Sequence, residues 1–140
     1  MNKLEYVDRL LEGIRIKPAM YLGKKSLETL SIFVTGYECA VDEITGSQDA
    51  GLFCRMQEFV QDKYHIPMTS RNWAQLISER TASPEAAFDL FFELYDEMKQ
   101  AGWLSMSHSE LDEAHDRRME AAGFRVVRKY DNAAEYEKAE

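Results

Sequence analysis

Residues 83–102 constrain the fold more than any other segment of the sequence. Ser83 is a preferred N-cap residue, Pro84 suits the first position of a helix, and Gly102 is a typical residue at a helix end. Between these markers the large apolar residues recur every three or four positions: Phe88, Phe91, Phe92, Leu94, Tyr95 and Met98. Because so wide an apolar face has to be covered by several other elements, the sequence predicts a core built from helices.

Five further segments show helical spacing or helix-capping residues, and residues 1–140 are therefore predicted to form one all-α domain, a bundle of about six helices. The predicted helices are residues 2–13 with Asn2 as N-cap, residues 27–46 after the N-cap Ser26, residues 51–64, a short helix after the cap Ser70, and residues 109–122, which Ser109 begins. Residues 14–23, around Pro18, are predicted to be a turn. Residues 124–130 favour a strand, which allows one minor β pair, and the tail from Asp131 is expected to be helical or frayed.

The same spacing predicts which side chains form the core. The expected core residues are Phe33, Tyr37, Phe59, Trp73, Phe88, Phe91 and Leu94. Cys39 and Cys54 lie in apolar neighbourhoods, and we expect them to be buried, reduced thiols.

Charge excludes several classes of partner. The 140 residues include 17 Lys and Arg against 25 Asp and Glu, a formal net charge of −8. Binding to nucleic acid or to an anionic membrane needs a positive field, so we expect neither, whereas a basic partner is favoured. No apolar run is long enough to cross a bilayer, and the first ten residues are charged and amphipathic. The expected location is the cytoplasm.

One short motif is shared with an enzyme family. Residues 15–23, with the sequence RIKPAMYLG, resemble the entry segment of the type II topoisomerase ATPase domain. The resemblance implies a following helix with a catalytic Glu and a magnesium-binding Asn. If Asp42 and Glu43 align with the acidic pair that closes this helix in the family, Thr35 and Cys39 stand at those two positions. If Glu38 is the base instead, Asp42 replaces the Asn. The glycine pattern G-x-G, by which backbone amides approach phosphates, is absent.

No other catalytic or metal-binding pattern is present in the sequence. His108 and His115 lie two helical turns apart, close to Asp112, but the chain lacks the paired spacings typical of a zinc site. No G-x-S-x-G motif marks a nucleophile. We therefore expect no enzymatic activity, no cofactor and no metal.

The remaining functional signal is the charge of residues 83–122. This segment contains ten acidic and three basic residues, a net charge of −7, and it repeats like charges at i,i+4 spacing. Each such pair costs about 0.2–0.5 kcal/mol of helix stability. Two interpretations stay open: a solvated face that maintains solubility, or a surface that binds a basic protein. The residues predicted for the second are Glu85, Asp89, Glu93, Asp96, Glu97, Asp112, Glu113 and Asp116, with Tyr95 or Trp103 as exposed apolar anchors.

Three segments together resemble small bacterial immunity proteins of polymorphic and contact-dependent growth-inhibition toxin systems. They are residues 15–23 followed by Ser26 and Leu27, residues 72–74 (NWA), and residues 85–94 (EAAFDLFFEL). The resemblance implies a non-enzymatic inhibitor that binds one cognate toxin domain, often a basic RNase, in the cytoplasm. A DNA mimic, a regulatory helical interaction protein and a degenerate ATP-binding module are the alternatives.

Overall fold

The computed structural model describes residues 1–129 and 134–138, and this part of the chain is helical apart from one hairpin. The prediction of an all-α fold with one minor β pair is confirmed. The elements are α1 (Lys3–Ile16), α2 (Pro18–Leu22), α3 (Leu27–Thr45), α4 (Leu52–Lys63), α5 (Trp73–Ser78), α6 (Pro84–Gln100), a 3₁₀ turn (Trp103–Ser105), α7 (His108–Ala121), β1 (Phe124–Lys129) and β2 (Ala134–Lys138). No described helix combines the length and apolar character that a membrane span requires.

Predicted caps begin three of the helices. Ser83 accepts a hydrogen bond from the Ala86 N–H at the start of α6, and Ser26 does the same for Thr29 at the start of α3. Asn2 begins α1 with a reciprocal capping box. At the other end of α3, Gly46 has a φ of 69°, a left-handed conformation that glycine adopts without strain.

The predicted turn at residues 14–23 is wrong, and so is the end of the first helix. Helix α1 continues to Ile16, and Pro18 begins the short helix α2 after a break at Lys17. A proline at the first helical position has no N–H to lose and a φ that already suits a helix, so Pro18 starts α2 here.

Two predicted N-caps are also wrong. Asn72, not Ser70, begins α5, and Ser107, not Ser109, begins α7. In both cases the side chain of the residue three positions later, Gln75 or Glu110, accepts from the backbone N–H of the cap, and its own backbone N–H donates to the cap side chain. This reciprocal bonding satisfies two helix-end groups at once and explains the choice of cap.

The tail contains a strand where a helical or frayed segment was predicted. β2 pairs antiparallel with β1, with Phe124 opposite Lys138 and Arg125 opposite Glu137. Gly123, with a φ of 90°, turns the chain from α7 into β1, and an ion pair joins Arg125 to Glu137 across the strands. Residue 130 of the predicted strand and residues 131–133 and 139–140 of the predicted tail lie outside the described residues.

The core is the predicted one with one exception. Phe91, Trp73 and Leu94 are almost fully buried, and the Trp73 and Phe91 rings lie 5.3 Å apart. Phe59 and Phe88 are buried as well, and Tyr37 is half-buried against the core. Phe33, in contrast, is 39% exposed, because α3 buries the face of Leu30, Val34 and Val41.

The prediction of buried thiols is wrong, since both cysteines are exposed. Cys39 lies on the outward side of α3, and Cys54 lies in the first turn of α4. Their apolar sequence neighbours form the buried faces of these helices, while the cysteines point away from them.

The packing of the helices positions the acidic segment. α3 and α5 pack against α6, and α1 packs against α3. α7 packs against α4 and β1. The acidic residues of the 83–122 segment are therefore divided between two helices with different neighbours.

Candidate acidic interface

On α6 the predicted acids share the outward side of the helix. Glu85, Asp89, Glu93 and Glu97 are exposed and Asp96 is half-exposed. Their positions follow from the opposite side, where the apolar face fixes the rotation of the helix by burying Phe88, Phe91 and Leu94.

Three of these α6 acids form ion pairs within the chain. Asp89 binds Lys25 at 2.8 Å, Asp96 binds Arg15 at 2.7 Å, and Glu97 pairs with Lys63. The cations come from the α2–α3 connection, α1 and α4, far from α6 in sequence. Glu85 and Glu93 are exposed, and no ion pair in the described part of the chain includes either. The α6 surface is therefore about half neutralised.

On α7 the acids stay together on one outward face. Asp112 and Glu113 are exposed, and Glu120, at helical spacing from both, is exposed as well. Asp116 is half-exposed and accepts a 2.5 Å hydrogen bond from the Tyr136 hydroxyl. Burial and this bond to Asp116 raise the pKa of Tyr136, so the phenol stays protonated. We call Asp112, Glu113, Asp116 and Glu120 the α7 acidic face.

The inward side of α7 carries a charged cluster that the sequence did not reveal. Arg118 is buried, and its Nη2 lies 2.9 Å from Oε2 of Glu58 on α4. His115 Nδ1 lies 3.2 Å from both Glu58 oxygens and 2.8 Å from Arg118 Nη2. Burial alone would raise the pKa of Glu58, but the hydrogen bonds and charges of His115 and Arg118 lower it below its usual value. One base of α7 is thus directed inward, away from the acidic face.

The two histidines do not form a site together. His115 packs edge-on against the Tyr136 ring at 5.4 Å, whereas His108 Nε2 lies 3.3 Å from the carbonyl of Gln48. Within residues 1–129 and 134–138, no group of three or more His, Cys, Asp or Glu side chains is arranged to hold a metal ion.

A cleft opens beside the α7 acidic face, with a volume of about 560 Å³, between α7, the hairpin and the loop after α4. Its lining includes Gln61, Met68, Ser70, His115, Met119 and Tyr136. Met68 is 58% exposed at its rim. Methionine and tyrosine surfaces next to carboxylates suit a long basic side chain, whose stem is apolar and whose head is charged.

The predicted aromatic anchors lie elsewhere. Tyr95 is only 1% exposed and donates a hydrogen bond to Asp8, so the prediction that it is an exposed anchor is wrong. It belongs to the inward face of α6, which its spacing from Phe88 and Phe91 already indicated. Trp103 is half-buried and packs edge-on against Phe59 at 5.4 Å.

The residues that resemble the ATPase helix have structural partners. Glu38 is buried, and both its carboxylate oxygens accept from the Leu52 N–H, at 2.9 and 3.1 Å. Asp42 binds Lys3 at 2.9 Å, and the Thr35 hydroxyl donates to the Ser31 carbonyl. Glu38 and Asp42 therefore connect α3 to α4 and α1.

Comparison of the chain with protein-family models, with curated proteins and with solved structures finds no match. The interpretation of the acidic face accordingly depends on its own geometry.

Proposed function

We propose that the chain is a non-enzymatic immunity protein that binds a basic toxin domain, such as an RNase, through the α7 acidic face. The observation that carries the proposal is the concentration of four acids on one side of α7, bordered by a single exposed base, Arg117, on that helix. Arg118, the helix's other base, is directed inward to Glu58. We further propose that binding takes place in the cytoplasm.

Electrostatic steering is the physical basis of this function. A nuclease attracts phosphates with a basic groove, and a carboxylate row at helical spacing offers that groove a substitute. Complementary fields raise association rate constants to about 10⁸–10⁹ M⁻¹s⁻¹ at low salt. An inhibitor that protects its own cell benefits from such rapid capture.

The α6 acids contribute less in this proposal than the charge count alone predicts. Asp89, Asp96 and Glu97 are already paired with cations, so a partner would have to displace those cations to reach them. Glu85 and Glu93 remain available as a secondary contact. The cleft beside α7 supplies the apolar anchor that affinity requires, since carboxylates chiefly set rate and specificity.

The test compares two double charge reversals. Asp112→Lys with Glu113→Lys alters the α7 acidic face, and Glu85→Lys with Glu93→Lys makes the same charge change on α6. The binding partner is the toxin domain encoded next to this chain. We expect the α7 reversal to slow association and abolish protection of cells, and the α6 reversal to have a smaller effect. Both variants should fold, because all four side chains are exposed.

Salt dependence provides a second measurement. Raising ionic strength to physiological levels shortens the Debye length to about 8 Å and should slow wild-type association more than that of the α7 reversal. A larger effect of the α6 reversal would overturn the assignment to α7. Wild-type affinity and protection in both variants would overturn the acidic interface, and catalytic turnover by the purified chain would overturn the non-enzymatic function.

A further inference from the structure

The cleft beside the α7 acidic face has walls that other parts of the chain hold in place. Gln61 of α4 is buried, and its side-chain amide donates to the carbonyls of Ile66 at 3.0 Å and Pro67 at 3.4 Å, which positions the loop after α4. On the hairpin side, the Tyr136 hydroxyl donates to Asp116 at 2.5 Å. The cleft volume of about 560 Å³ lies within the range of about 300–1,000 Å³ that is typical of ligand sites.

The lining of the cleft suits one kind of cation better than another. Among the described residues that line it, none is acidic. Pro67, Met68 and Met119 supply apolar surface, Ser70 adds a hydroxyl, and Tyr136 adds an aromatic ring. A lysine ammonium is strongly hydrated and would lose water here without a carboxylate in the lining to replace it. A guanidinium is more weakly hydrated and stacks on aromatic rings, so the lining favours arginine.

The charges around the cleft favour a cation over an anion. Burial, the hydrogen bond to Asp116 and the charges of Asp116, Glu58 and Asp112 raise the pKa of the Tyr136 phenol, which indicates a negative potential at this wall. Arg118 is buried nearby, but it lies 2.9 Å from Glu58, so these two charges offset each other. Asp112 is exposed and forms no ion pair in the described part of the chain, so its negative charge is left in excess.

We propose that the cleft receives one arginine side chain of the toxin domain, with its stem along Met68 and Met119 and its guanidinium against Tyr136. This inference rests on the proposed function, which supplies the basic partner, and it adds the residue type that the cleft selects. The α7 acidic face then sets the rate of association, and the enclosed arginine sets the rate of dissociation and the choice of toxin.

Methyl NMR of the full-length protein, with isotope-labelled methionine methyl groups, tests the chemistry of the cleft without the toxin. The probes are a capped peptide with one arginine between two glycines, and its lysine counterpart. The arginine peptide should shift the Met68 and Met119 signals and bind about threefold or more tighter than the lysine peptide, because only the guanidinium stacks well on the tyrosine ring. Met20, exposed on α2, is the matched control and should not shift. Equal affinity for the two peptides, or equal shifts at Met20 and Met68, would overturn the proposal.

Binding kinetics with the toxin domain encoded next to this chain test the role in recognition. Met68→Ala removes part of one wall and should raise the dissociation rate by about fivefold or more, while the association rate stays the same. Met20→Ala should change neither rate. Both variants should fold, because both side chains are exposed.

The failure of this proposal differs from the failure of the immunity function. If the toxin binds, and Asp112→Lys with Glu113→Lys slows association while Met68→Ala changes nothing, the arginine cleft is overturned and the immunity function stands. If the toxin does not bind the wild type, the immunity function is overturned, and with it the toxin as the source of the arginine. The peptide titrations then still decide whether the cleft selects a guanidinium.

Discussion

Glu38 of α3 caps the N-terminus of α4 from another helix, because its two carboxylate oxygens accept from the backbone N–H of Leu52 at 2.9 and 3.1 Å. Leu52 is the first residue of α4, and the preceding Gly51 has no side chain that could cap the helix. The carboxylate approaches so closely that a Cβ on Gly51 would lie 1.6 Å from Glu38 Oε2. The glycine is needed for space, since its φ of −91° suits any residue.

We therefore expect Gly51→Ala to destabilise the protein by about 1–3 kcal/mol, the cost of displacing a buried carboxylate from its donor. Urea denaturation measures the effect. In a Glu38→Ala background only the flexible end of the Lys3 side chain, whose Cε would lie 2.9 Å from the added Cβ, still has to move, so Gly51→Ala should there cost much less. An equal cost in both backgrounds would show that the glycine serves another purpose.

A second prediction concerns the 2.5 Å hydrogen bond from Tyr95 Oη to Asp8 Oδ1, which joins α6 to α1. Burial would raise the pKa of Asp8, but the hydrogen bonds from Tyr95 and Lys99 lower it below the usual 3.8. Burial and the bond to Asp8 raise the pKa of Tyr95 above its usual 10.0. Because the pKa of Asp8 is lower in the folded than in the unfolded protein, its carboxylate stabilises the fold above pH 3.8, and this stabilisation is lost as the pH falls. Because the pKa of Tyr95 is higher in the folded protein, its phenol stabilises the fold below pH 10.0, and this stabilisation is lost as the pH rises.

Tyr95→Phe should accordingly lower stability by about 1 kcal/mol near neutral pH, and the difference from wild type should shrink in acid and in alkali. Thermal denaturation across the pH range checks this. Tyr6→Phe is the control and should follow the wild-type profile, since no hydrogen bond of its hydroxyl is present among the described residues. A difference that does not vary with pH would contradict the assignment.

Local signals in the sequence predicted the helices well. The helix starts depend on contacts that are local in sequence. The capping side chains are those of Ser83, Ser26 and Asn2, and each accepts a hydrogen bond from a backbone N–H within three or four residues. Such contacts, like Pro84 at the first helical position, can be predicted without knowing the tertiary fold. The errors at Ser70 and Ser109 arose because several polar residues competed for the same helix start. At both places a reciprocal capping box decided the outcome.

Long-range features could not be predicted in the same way. Lys25, Arg15 and Lys63 neutralise acids of α6 from elements distant in sequence. The net charge of residues 83–122 therefore overstated the acidity of α6, and it did not distinguish that helix from α7, where Asp112 and Glu113 are exposed. Phe33 was misplaced because a rotation of about 100° per residue separates it from the buried Val34, and apolar residues on both sides of α3 blurred the pattern.

The third prediction contrasts Phe91 with Phe33, both of which were predicted from the sequence to lie in the core. Phe91 is fully buried and contacts the rings of Trp73 and Tyr95. Phe91→Ala should cost about 3–5 kcal/mol through the cavity it leaves, enough to unfold many domains of this size. Phe33→Ala should stay within about 1 kcal/mol, because a partly exposed ring leaves no closed cavity. Chemical denaturation of both variants checks the contrast, and similar losses would contradict the described rotation of α3.

The last prediction uses two adjacent arginines of α7. Arg118 is buried against Glu58, whereas Arg117 is exposed, so the two positions offer the same side chain in opposite environments. Arg118→Met leaves the partly buried Glu58 carboxylate with His115 as its remaining partner. This should lower the free energy of unfolding by about 2–3 kcal/mol, which is less than the roughly 3–5 kcal/mol lost when a fully buried ion pair is broken. Arg117→Met should have almost no effect.

The pH dependence of this loss identifies its cause. Arg118 and His115 hold the pKa of Glu58 below its usual 4.5 against the effect of burial, so their contribution is present above pH 4.5 and disappears as pH falls. The deficit of Arg118→Met should therefore shrink in acid, where Glu58 is protonated in both proteins. Replacing Glu58 by Leu in the same chain should recover much of the stability at neutral pH, because an apolar pair can replace a buried ion pair at little cost. If the double variant is less stable than Arg118→Met, the loss comes from packing of the arginine stem and not from the unpaired carboxylate.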